Sequence, residues 1–68
     1  MDSKTTKITK TLGNKLRIAR KKVNLTQVEV AEKADMHPNY YARIERGEIN
    51  TTYEKLHKIG EVLKIKIV

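Results

Sequence analysis

Asn39, Tyr40 and Arg43, with His37 and Pro38 just ahead of them, have types and spacing suited to recognition chemistry. A carboxamide gives and takes a hydrogen bond at once, so Asn39 matches the N6 and N7 edge of adenine. The guanidinium fork of Arg43 matches O6 and N7 of guanine. Tyr40 can pack on a thymine methyl or bond a phosphate. His37 has two readings, a further base contact or a helix cap. Pro38 shapes a helix start and can touch a phosphate without reading bases. The bland alternative is an ordinary exposed helix face, which leaves a tyrosine beside an asparagine unexplained.

Catalytic chemistry has no comparable foothold. The chain holds no Ser-His-Asp set, no phosphate-cradling glycine loop and no cysteine. Its two histidines, His37 and His57, stand twenty positions apart with no third ligand in sequence reach. We therefore expect no metal, no cofactor and no enzyme. A chain of 68 residues also has too little core for a buried cleft plus a scaffold. Nor is there an apolar run near the ~20 residues that a membrane span needs. The expected setting is cytoplasmic, on the nucleoid.

Charge narrows the partner. Fifteen Lys and Arg face eight Asp and Glu, for a net charge of +7. The excess is concentrated early: up to Gln27 the only acid is Asp2, against Lys4, Lys7, Lys10, Lys15, Arg17, Arg20, Lys21 and Lys22. A polyanion is the default partner of such a surface. Alone, the run would read as a solvated face.

The elements that must position these groups are legible as helices. Residues 1–8 are polar and basic without periodicity and read as a mobile arm. A first helix is expected from Thr9 or Thr11, because Leu12, Leu16, Ala19 and Val23 recur at spacings of four, three and four. Asn24 suits a left-handed cap after it. Thr26-Gln27-Val28-Glu29 reads as a capping box opening a second helix over about 26–33, with Val30 and Ala31 buried. Asp35 falls in the turn. A third helix is predicted over about 37–46, with Pro38 in its first turn, Tyr41 and Ile44 buried and Gly47 ending it. Thr51-Thr52-Tyr53-Glu54 reads as another capping box, opening a fourth helix with Leu56, Ile59 and Leu63 inward. The last residues, 64–68, alternate polar and apolar like a short strand.

Two short helices joined by about four residues, the second ending Ile44-Glu45-Arg46-Gly47, resemble the lambda-repressor-like (Cro/repressor, XRE-type) helix-turn-helix domains. The likeness runs from about Leu12 to Ile65. Within that family the stretch Asn39–Gly47 looks like restriction–modification controller proteins as much as any. The resemblance implies that the third helix lies in the DNA major groove. It implies that Gln27 bonds a phosphate and supports the recognition helix. It also implies that Arg20 pairs with Glu45 as a structural ion pair, and that Arg46, Asn50 and Thr51 follow the phosphate backbone. Arg17 and Lys21 would add phosphate attraction from the first helix. Two departures stand out: Asp35 replaces the usual turn glycine, and His37 replaces a Ser or Thr cap.

The expectation is thus an all-α domain of four to five helices over residues 9–68, with 64–68 as a candidate strand. Its expected function is sequence-specific binding of double-stranded DNA, as a homodimer on a pseudo-palindromic operator, regulating transcription. Pairing of the C-terminal tails, with Val62, Leu63, Ile65, Ile67 and Val68 uncovered, is the expected dimer contact. The rival reading is an antitoxin-type module whose main partner is a protein.

Overall fold

The register of apolar residues dictates four helices, and the computed structural model, which describes residues 3–66, contains them: α1 Ser3–Lys22, α2 Gln27–Lys33, α3 Pro38–Glu45 and α4 Tyr53–Leu63. The fold is all-α, and among the described residues no strand forms.

Helix α1 begins earlier than its apolar spacing predicts. Residues 3–8, read above as part of an arm, are helical. No proline or glycine interrupts the chain before Gly13, and lysine is a good helix former. Thr9 explains why the extension is retained. It is 3% exposed, on the same row as Leu16 and Ala19, and its hydroxyl donates to the Gly47 carbonyl at 2.8 Å. A buried threonine gives no apolar signal, so the apolar pattern starts about two turns too late.

Gly13 looks misplaced inside a helix, where glycine costs about 1 kcal/mol relative to alanine. Close approach accounts for it. A Cβ there would collide with the backbone carbonyls of Ile44 and Glu45, so α1 can cross the end of α3 only at this glycine. Gly47 sits at the same crossing, with φ +74, and a Cβ on it would strike Lys10.

The joints follow the capping logic with one shift of register. Thr26 Oγ1 accepts from the Glu29 amide at 3.1 Å, and the Thr26 amide donates to Glu29 Oε1 at 2.8 Å. Asn24 (φ 64) and Asp35 (φ 60) both take left-handed conformations. The latter lets the Met36 amide donate to the Ala31 carbonyl at 2.9 Å, and so sets the turn between α2 and α3. His37 caps α3, its Nδ1 accepting from the Asn39 amide at 3.1 Å. The expected box at Thr51 and Glu54 is off by one. Thr52 is the cap of α4, accepting from the Lys55 amide at 3.1 Å, while Thr51 has other duties.

Helix α3 packs on α1 and α2, and α4 lies against the same two helices. Leu16, Val30, Ala31, Tyr41, Ile44, Ile59 and Leu63 fill the centre. Leu63 is 1% exposed, and Val62 and Ile65 pack against the core. The uncovered apolar surface expected of these three is therefore largely covered within one chain. Lys64 adopts φ 60, and the Ile65 amide donates to the Gly60 carbonyl at 3.0 Å. Residue 64 closes a helix instead of opening a strand. Ile67 and Val68, the rest of that proposed strand, lie outside the described residues.

Candidate nucleic-acid interface

The interface is built on α3, because burial divides its side chains cleanly. Tyr41, Ala42, Ile44 and Glu45 face inward. Asn39, Arg43 and Arg46 follow at steps of four and three and are exposed, forming one row on the opposite side. Pro38 and Tyr40 flank the row, half-buried, and His37 stands exposed at its head.

Tyr40 is fixed. Its hydroxyl lies 2.8 Å from Thr51 Oγ1, and Lys55 Nζ stands 5.8 Å from its ring centroid. The structure thus joins the start of α3, the loop before α4 and the first turn of α4. Lys55 has no mark in the sequence beyond its charge, and only this contact singles it out. Asn50 is exposed on the same loop.

Behind the row lies a polar network. Arg20 Nε donates to Glu45 Oε2 at 2.6 Å and Nη2 donates to Oε1 at 3.2 Å, with the two side chains only 13% and 2% exposed. Arg20 Nη1 also donates to the Leu25 carbonyl at 2.9 Å. Gln27 Nε2 donates to Glu45 Oε1 at 3.0 Å, so this end of its carboxamide faces the protein. Burial opposes the Glu45 charge, yet the hydrogen bonds from Arg20 and Gln27 hold the carboxyl below the usual carboxylate range. The Tyr41 hydroxyl is buried nearby, with no hydrogen bond of acceptable geometry among the described residues, and burial pushes its phenol up. One carboxylate therefore clamps α1, the start of α2 and the end of α3.

Arg17 and Lys21 stand exposed on α1, and Arg17 Nη2 donates to Asn14 Oδ1 at 2.8 Å. No hydrogen bond or ion pair joins them to the α3 row among the described residues. Glu48 is the acid that sequence reading passed over. Its carboxylate lies 2.7 Å from Arg46 Nε and 3.5 Å from Arg43 Nε. Two surface clefts among the described residues are lined by α1 residues or by α4 and its C-terminal extension, with no α3 residue in either. Among the described residues no group of His, Cys, Asp and Glu could hold a metal ion. What α3 presents is an exposed row of hydrogen-bonding side chains.

A helix-turn-helix family model matches residues 16–68, which includes all of α2, α3 and α4. The chain belongs to the helix-turn-helix family. The lambda-repressor-like resemblance drawn from Ile44-Glu45-Arg46-Gly47 agrees with this. It is similar to the immunity repressor protein of Bacillus phage phi105, at 37% identity over 57 residues. That match covers 84% of this chain and 40% of the relative, so the chain spans about 40% of the length of that protein. No solved structure matches it. No helix among the described residues is long and apolar enough to cross a membrane.

Proposed function

We propose that the protein binds double-stranded DNA sequence-specifically by laying α3 in the major groove, and that it represses transcription as a homodimer on a pseudo-palindromic operator. The observation that carries this reading is the exposed row Asn39, Arg43 and Arg46, held rigid from behind by Glu45 and from the side by Thr51. Asn39 and Arg43 read base edges, with Tyr40 on a thymine methyl and His37 chiefly capping the helix. Arg46, Asn50, Thr51 and the α1 cations Arg17 and Lys21 meet phosphates, Pro38 touches the backbone, and Gln27 steadies Glu45. The net charge of +7 supplies the sequence-independent attraction. One module this small buries limited surface, so two copies reading half-sites about 34 Å apart give the needed selectivity. The phage relative's name, immunity repressor, favours repression over activation.

Selection of bound duplexes from a random pool, with mass determination of the complex, tests this reading. The expected result is a two-fold symmetric motif bound by two chains. Recovery of no sequence preference would overturn base reading by α3, and a single chain on an asymmetric motif would overturn the dimer.

A further inference from the structure

Glu48 occupies a position that the DNA-binding reading leaves unexplained: an acid beside two of the cations meant to meet DNA. Its placement is set by the backbone. Gly47 ends α3 in a left-handed conformation, and the Glu48 amide then donates to the Arg43 carbonyl at 3.0 Å. This closing turn sets the Glu48 backbone beside Arg43, within reach of both guanidinium groups. Arg46 approaches as a fork, Nε at 2.7 Å from Oε2 and Nη2 at 3.3 Å from Oε1. Arg43 Nε lies 3.5 Å from Oε1. A carboxylate held by an arginine fork presents two acceptor oxygens to the paired N–H donors, as the two free oxygens of a phosphate do.

We propose that Glu48 is an intramolecular stand-in for DNA phosphate, occupying Arg46 in the free protein, with Arg43 beside it, and weakening its hold on every duplex. The proposal rests on the DNA-binding reading above. Any DNA that engages Arg46 must displace this carboxylate, and that displacement cost is independent of base sequence. Because nonspecific binding is almost wholly a matter of phosphate contacts, the cost matters most where the protein should not linger. All three side chains are about half exposed, so water screens the pair and the effect is modest.

The experiment measures affinity for a random-sequence duplex and for the selected operator across a salt series, using the full chain, E48Q, R46A and the double variant. E48Q is expected to bind both duplexes about two- to fivefold more tightly. Its salt slope should steepen by about one. In the R46A background the gain from E48Q should shrink by more than half, because the displaced partner is gone. An undiminished gain in that background would mean simple repulsion of DNA by the acid and would overturn the stand-in role. Unchanged or weaker binding by E48Q would also overturn it, since the acid would then be inert or would be orienting Arg46. Failure of the wild-type chain to bind any duplex would instead bring down the DNA reading itself, and this proposal with it.

Discussion

The Tyr40 hydroxyl and Thr51 Oγ1 lie 2.8 Å apart, linking the outward side of α3 to the loop before α4. This bond removes Thr51 from the capping box it was expected to form and fixes a tyrosine that would otherwise swing freely beside Asn39. Tyr40→Phe should therefore cost about 0.5–1.5 kcal/mol in chemical denaturation, the usual net worth of one such bond. It should also reduce operator affinity, because the loop carrying Asn50 and Thr51 loses its anchor. A variant as stable as the wild type would show that the bond contributes nothing in solution.

Gly13 gives a prediction with an unusual sign. In an open helix, glycine to alanine stabilises by about 1 kcal/mol. Here the added methyl would meet the Ile44 and Glu45 carbonyls, so Gly13→Ala should destabilise by about 1–3 kcal/mol as α1 is pushed off α3. Thermal melts decide between the two signs directly. A more stable variant would mean that α1 and α3 are not this close.

The Arg20–Glu45 pair predicts an acid-labile fold. The folded-state pKa of Glu45 lies below its ordinary value of 4.5, so its contribution is present above that pH and is lost as pH falls through the lower, folded value. Stability should stay level from neutral pH down to about 4.5 and then decline, with a shallower decline in Glu45→Gln. Arg20→Ala strands the buried carboxylate and should cost about 3 kcal/mol at neutral pH. Melting curves between pH 7 and pH 3 test both statements. A flat profile through the acid range would remove the clamp from the account.

Asp35 is the weak joint. Its φ of 60 is strained for a side chain with a Cβ, and Asp35→Gly should raise stability by about 0.5–1 kcal/mol with no change in DNA preference. Denaturant midpoints measure this, and a lower midpoint would show that the aspartate side chain supplies a compensating contact.

The number and order of the helices were legible because their signals are local: the apolar row from Leu12 to Val23, the box at Thr26 and Glu29, and the breaker at Gly47. Residues that depend on contacts distant in sequence were not. Thr9 and Gly13 matter only because α1 crosses the end of α3, and neither carries a periodic mark. The capping register before α4 was misread for the same reason, since Thr51 answers to Tyr40, eleven residues away. The tail reading failed at Leu63 and Ile65 because apolar alternation does not say whether a residue faces its own core or a partner. Glu48 was missed because an acid in a basic surface looks like dilution until its distance to Arg43 and Arg46 is known.

Base reading by the exposed row of α3 can be measured at Arg43. Arg43 projects outward four residues after Asn39, well away from the buried clamp. Selection from a random duplex pool should be run in parallel for the wild-type chain and Arg43→Ala, with affinities measured for the recovered motif. Arg43→Ala should lose about 1–3 kcal/mol of affinity and relax preference at one base pair in each half-site, the remaining positions being unchanged. Uniform weakening on all sequences, with the motif intact, would make Arg43 a phosphate contact and contradict the reading.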